Sequence, residues 1–364
     1  MTSADNLKLQ VFRGASGLAK LAPAWNDLAE SLPSAALIQY PQYYLSYVDA
    51  FDGDARHCMA VAAFSDGDLV AVMPVAEYRR SVLGVTVRVL RFPNVPMRIR
   101  DVCLRPDITF QTFLDCLTRD KSVPAWDYLH FRGVMETSPI VDQAHYRQST
   151  RRIQRLIDVS NSLDCSQENY VDNRLNSKAR NNLRRGLKKL AALGEFAFTT
   201  VQSMPALEEA FGDFLETEAA GWKSQRGGKR AVKLHKDYTA FYRDLMRRAA
   251  VLDRCHIHLL SLNGKAIASD FSILVADRCY SLKHGFDEAY AKVAPSNLLR
   301  QYALERYCSD PAIRRVELVS GAAWHSTWRP IKTNVFDVQI FNRTVLGQAV
   351  YQFLKLKTIR TRAH

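Results

Sequence analysis

The sequence predicts an α/β (α+β) fold of two similar halves, each a mixed, mostly antiparallel twisted sheet flanked by helices. The first ground is length: 364 residues exceed one small core and suit two domains of roughly 150–200 residues. The second is a set of short alternating apolar runs broken by Asp-Gly and Asn-Gly pairs, the signal of antiparallel hairpins. The third is an order of elements, strand then helices then hairpin then strand, that occurs twice without sequence identity between the copies.

Residues 8–12 alternate as a strand. Residues 17–31 gather Leu18, Leu21, Trp25 and Leu28 on one helical face, and 40–51 do the same with Tyr43, Tyr44, Tyr47 and Phe51. Two β runs over 59–78 meet at Asp66-Gly67, and 126–134 reads as a further strand. The order returns with a strand at 195–201, helices at 205–222 and 237–250, and three strands within 255–286, the first turn marked by Asn263-Gly264. A helix opening near Ser296 and strands at 314–319 and 335–341 complete the second copy. The expected division is a first domain over 1–165, a basic linker helix over 166–194 and a second domain over 195–364.

Apolar residues make up 47% of the chain and charged residues 24%, a globular balance rather than a disordered one. No apolar run reaches the ~18–20 residues that span a bilayer. The first thirty residues carry acids and lack a continuous apolar core, so no signal peptide is expected. Seven scattered cysteines without a CxxC pair suit reduced thiols in a cytoplasmic protein. The formal charge of +13 favours anionic partners, such as a phosphorylated cofactor, a nucleotide-linked substrate or an acidic membrane face.

That charge concentrates in RLNSKARNNLRRGLKKL (174–190), which holds seven cations and no acid. Leu175, Ala179, Leu183 and Leu187 recur at i+4, so one stripe is expected to pack while the cations face solvent or an anionic surface. The interleaved aromatics of a single-strand binder are missing, which argues against a dedicated nucleic-acid helix. The tail over 350–364 carries Lys355, Lys357, Arg360 and Arg362 beside Phe353, Leu354 and Leu356. It suits a solvated helix or a peripheral contact with the inner face of a membrane.

The candidate chemistry lies in the second half. With an even-length turn in the hairpin 266–286, Asp270 and Ser272 share a face with Ser281, Lys283 and Gly285: small residues around one acid and one cation. A narrow ligand fits along such a face. Glu218 falls on the apolar stripe of Leu207, Phe211, Phe214 and Leu215, and a carboxylate there needs a partner or a task. The helix opening at Ser296-Asn297-Leu298 offers unpaired N–H groups and a partial positive charge, a natural phosphate seat. His256 and His258 point to one side of a strand, but no third ligand lies near them, so no metal is expected.

In order, the stretches RNNLRRGLKKLAALGEFAF, FLETEAAGWKSQRGG, YSLKHGFDEAYAKVAPSNLL and VELVSGAAWHSTWRPIKT resemble the CelD-like acetyltransferases. These belong to the GNAT superfamily, are linked to cellulose and other exopolysaccharides, and have the holdfast N-acyltransferases as relatives. The opening region is similar too, so the resemblance spans nearly the whole chain. It implies a tandem GNAT layout like that of the FemAB-type transferases, with the acyl-donor site in the second half alone. Acetyl-CoA or another acyl-CoA would lie at the hairpin 266–286, beside Ser272 and Ser281. Its pyrophosphate would rest on the amides of Ser296, Asn297 and Leu298, although relatives carry glycine where Ser296 stands.

Asp270 is the implied general base, Glu218 the second choice, and Lys283 the group that tunes either acid or steadies the thioester oxyanion. Trp222, Lys223, His284, His325 and Trp328 are the implied substrate contacts. The acceptor would be an amine of a glycan precursor. Two alternatives are an aminoacyl-tRNA-dependent transferase, which would put 174–190 to use on tRNA, and a degenerate GNAT scaffold regulated by cyclic-di-GMP or the membrane.

Overall fold

The structure, a computed structural model, describes residues 7–51, 57–82, 84–142, 144, 146–221 and 231–362. The chain forms two compact units, Met1–Val159 with Thr333–His364, and Ser160–Lys332.

The first unit opens with β1 (Leu7–Arg13), α1 (Gly14–Ser31) and α2 (Pro41–Ala50), followed by β2 (Cys58–Ser65), β3 (Asp68–Val82) and β4 (Val85–Arg91). Ser65 pairs with Asp68, and Asp66 and Gly67 between them both have positive φ, as the favoured two-residue hairpin turn requires. After the short β5 (Cys103–Leu104) come α3 (Phe110–Arg119) and β6 (Tyr128–Met135). Leu18, Leu21, Trp25 and Leu28 of α1 are buried as their spacing predicts. Phe110, Phe113, Leu114 and Leu117 of α3 join the core with Met73 and Phe131, each worth about 1.5–3 kcal/mol of burial. The start of α3 is already closed: Thr109 accepts from the Thr112 amide at 3.1 Å, and Asp107 just before it is held by Arg105 at 2.6 Å.

β7 (Arg151–Asp164) crosses into the second unit. There follow α4 (Tyr170–Arg174), α5 (Ser177–Ala191), β8 (Phe196–Val201), α6 (Ala206–Ala219), α7 (Lys236–Ala250), β9 (Cys255–Leu262), β10 (Lys265–Val275), β11 (Arg278–Phe286), α8 (Pro295–Cys308) and β12 (Arg315–Glu317). The basic segment is the helix α5, whose first turn is capped by the Asn176 side chain accepting from Ala179 N at 2.9 Å. Its buried stripe is Ala179, Leu183, Gly186 and Leu190, not the i+4 series ending at Leu187, which is 40% exposed. With 3.6 residues per turn a strict i+4 series drifts off the face, and the 4-3-4 spacing follows it. Lys178, Arg184, Arg185, Lys188 and Lys189 are exposed.

β13 (Ile331–Phe341) and α9 (Val345–Arg362) end the described chain. The strands of the two units follow one plan. In the first, β1-β2-β3-β4 run antiparallel, β6 joins β4 in parallel, and β13 closes antiparallel on β6. In the second, β8-β9-β10-β11 run antiparallel, β12 joins β11 in parallel, and the end of β7 closes antiparallel on β12. The first unit therefore takes its closing strand from a distant segment, whereas the second unit is one continuous run, and the compact units differ from 1–165, 166–194 and 195–364. Residues 160–194 fold with the second unit and residues from 333 with the first. All seven cysteines are buried free thiols. Among the described residues no helix is long and apolar enough to cross a membrane.

Candidate active site

The parallel pairing of β11 with β12 covers only Arg278–Tyr280 against Arg315–Glu317. Beyond it the Leu318 amide donates to Asn161 O at 2.9 Å, on the β7 side, while β11 continues through Ser281–Phe286. Within that continuation Ser281 pairs with Ser272 and Lys283 with Phe271, so Leu282 is an extra residue without a partner. Such a bulge bends a strand and re-aims its side chains. In the first unit the parallel pair ends at Arg91 opposite His130, where β4 itself ends. Among the described residues, the strand that continues past its pairing with the parallel partner is β11 of the second unit, whereas β4 ends with its own pair. The hairpin strands β10 and β11, where the resemblance puts the acyl-CoA, stay hydrogen-bonded; the pairing that ends early is on the other edge of β11.

The bulge also redistributes the charged groups. Asp270 is opposite His284, and Lys283 is opposite Phe271, so Lys283 and Gly285 do not share the face of Asp270 as an unbroken register predicts. On the Asp270 face, its carboxylate accepts from Ser272 Oγ at 2.5 Å and from Ser281 Oγ at 2.6 Å. These three line a cavity of about 20 Å³ together with Arg300 and Tyr307 of α8, room for about one water. Arg300 is 8% exposed; burial lowers its pKa and the neighbouring Asp270 charge opposes that. Its Nη1 is buried without a hydrogen-bond partner, a desolvated donor that costs about 1–3 kcal/mol unless something accepts from it.

On the opposite face Phe271 packs against Phe214 of α6, and the Lys283 ammonium stands 5.7 Å from the Tyr242 ring centre. Glu218 is buried on α6 as its position predicts, accepting from the Val232 amide at 2.8 Å. Gly285 is fixed by this packing, since a Cβ there would lie 2.3 Å from Glu218 Cα. Asp270 and Glu218 therefore belong to opposite faces of one strand pair, with Lys283 on the Glu218 side.

At the start of α8, Ala294 is the cap with φ of 55° and Pro295 is the first helical residue, one residue earlier than expected and with no role for Ser296 as the cap. The amides of Asn297 and Leu298 both donate to Ala294 O, at 3.0 and 3.2 Å, closing the first turn. Ser296 Oγ is buried without a partner.

The turn 323–328 lies at the mouth of this site. Trp324 is 46% exposed, with its ring centre 4.9 Å from that of His284 and 4.9 Å from the Arg300 guanidinium carbon. His325 and Trp328 are buried. The Asn161 amide nitrogen and His325 Nδ1 are 3.0 Å apart, burial holds the His325 imidazole down at about 4, and the Tyr170 hydroxyl donates to Trp328 O at 2.5 Å. Both side chains expected to meet substrate are thus core groups, and Trp324 is the accessible ring. Trp222 and Lys223 lie outside the described residues.

His256 and His258 both face the Tyr307 hydroxyl, at 3.1 and 2.7 Å. Their remaining ring nitrogens meet Gln202 and Thr200, each at 2.9 Å, and burial drives both imidazoles down to about 3. They are neutral links in a buried network. Arg300, Tyr307 and Trp324 were not singled out by spacing, yet Arg300 sits on the apolar stripe Leu299, Ala303, Leu304 and Tyr307 of α8, the same signal that marks Glu218 on α6.

Residues 177–327 match the family model described as an acetyltransferase (GNAT) domain. No curated protein matches the sequence. Among solved structures, FemX is similar over 91% of this chain and 98% of its own, at 11% identity and a TM-score of 0.60. The L-PGS of Bacillus licheniformis is similar over 90% of this chain and 95% of its own, at 11% identity and a TM-score of 0.54. The C-terminal domain of a putative lysylphosphatidylglycerol synthetase from Agrobacterium fabrum covers 92% and 95%, at 11% identity and a TM-score of 0.53. At such identities the likeness is one of fold. The parting of β11 and β12 lies inside the matched GNAT domain.

Proposed function

We propose that the protein is an acyl-CoA-dependent N-acyltransferase, transferring acetyl to the amine of an amino sugar or its precursor in cell-surface polysaccharide synthesis. The observation that carries this reading is the edge Ser281–Phe286, bulged at Leu282 and running past the last β11–β12 pair inside a GNAT domain. A pantetheine arm can lie along such an edge beyond the last β11–β12 pair, and the start of α8 follows it in sequence, with the Ser296 hydroxyl lacking a partner. The polysaccharide acceptor rests on the motif resemblance alone.

In this reading the amine attacks the thioester carbonyl carbon. The C–N bond forms, the C–S bond breaks, and coenzyme A leaves as a thiolate that takes a proton from solvent. Asp270 accepts the proton of the amine, directly or through a water in the cavity it lines. Arg300, desolvated and on the same face, supplies the positive charge first assigned to Lys283. Glu218 and Lys283 shape the opposite face. An aminoacyl-tRNA-dependent reaction is the second reading, favoured by the exposed cations of α5.

Calorimetry separates these readings. Acetyl-CoA is expected to bind one to one, while tRNA and cyclic-di-GMP leave no comparable signal. With an amino-sugar acceptor, Asp270→Asn is expected to lower kcat by about 10²–10⁴-fold, and Glu218→Gln by less. Failure of both acetyl-CoA and coenzyme A to bind removes the proposal. Full activity in Asp270→Asn with none in Glu218→Gln reverses the two acids.

A further inference from the structure

The first unit contains a cleft of about 730 Å³ that the acyl-transfer reading does not use, within the ~300–1,000 Å³ typical of small-molecule sites. It lies between α3, the segment 147–151 and the end of β13 with the start of α9. Its floor is apolar, formed by the buried Leu114, Trp126, Ile340 and Phe341. Its rim carries Arg119, Arg147, Arg151 and Arg343 against a single carboxylate, Asp115. That carboxylate is occupied, held by Arg147 at 2.8 Å and by the Gln111 amide at 2.9 Å. Arg151 and Arg343 have no carboxylate partner among the described residues.

The guanidinium groups of Arg151 and Arg343 add positive charge to the rim that no acid offsets, and a bound anion neutralises it. Their planar forks match the oxygens of a phosphate, and the Ser149 hydroxyl lines the same cleft to meet a remaining oxygen. The surplus of positive charge suits a ligand carrying more than one negative charge in a small volume. The floor accommodates an uncharged ring or sugar.

We propose that this cleft binds a phosphate or pyrophosphate ester, separately from the acyl-donor site. A nucleic acid fits it poorly, because its cations surround a pocket rather than line a strip.

The test is calorimetry of the full chain at low salt with inorganic pyrophosphate, and with citrate as a carboxylate of similar charge. Pyrophosphate is expected to bind, and citrate more weakly. Arg151→Gln and Arg343→Gln are each expected to weaken pyrophosphate by about tenfold or more, Arg343→Gln without changing the melting temperature, since Arg343 is exposed. Arg80→Gln, an exposed arginine of β3 outside the cleft, is expected to leave pyrophosphate binding unchanged. No pyrophosphate binding, equal binding of citrate, or binding lost in Arg80→Gln but kept in the Arg151 and Arg343 variants would each overturn the assignment.

Discussion

Leu282 has no partner across the β10–β11 pair, and that extra residue turns Lys283 toward Tyr242 while Arg300 stands beside Asp270. Asp270, Ser272, Ser281 and Glu218 were legible in sequence because each is an oddity against a local pattern: polar on a strand face, or acidic on an apolar stripe. The bulge was not legible, since an unbroken two-residue period is the simplest register and nothing in YSLKHGF marks the slip. Gly285 shows how tightly the result is fixed. A Cβ there would meet three backbone atoms of Thr217 and Glu218 within 2.8 Å, and backbone cannot rotate aside. Gly285→Ala is expected to cost roughly 1–3 kcal/mol or more in urea unfolding. Gly212→Ala on the open side of α6, with nothing within 4 Å, is expected to stabilise by about 0.5–1 kcal/mol. Equal effects at the two sites would contradict the packing described.

Among the elements, both turns carrying Asp-Gly or Asn-Gly stand where the sequence puts them, because turn chemistry is local. β7 escaped notice because most of its first nine residues are only half-buried or exposed, giving RRIQRLIDV no clean alternation. On α5 the basic face is as expected but the stripe is rotated, and this sets a comparison. Leu190 is fully buried while Leu187 is 40% exposed. Leu190→Ala is expected to destabilise by about 2–5 kcal/mol, and Leu187→Ala by about 0.5 kcal/mol or less. The reverse order in thermal or urea melts would restore the i+4 stripe. Gly186 belongs to the same account, since a side chain there would press within 2.7 Å of Val293 O, displacing the turn that leads into α8.

Over the whole molecule, the repeated order of strands was visible in the sequence, but the return of β13 to close the first unit was not. Pairing between segments as distant as β6 and β13 leaves no local trace in composition, and sequential boundaries are the natural guess. The repetition also exposes the asymmetry on which the functional proposal depends. Both units join a parallel strand to the fourth of their antiparallel run, yet only β11 continues past the join. Hydrogen exchange of the full chain with and without acetyl-CoA reads this most directly. The proposal predicts slowed exchange at Ser281–Phe286 and across Pro295–Arg300, with β4 and the loop after it unchanged. Protection confined to the first unit, or none at saturating acetyl-CoA, would contradict it.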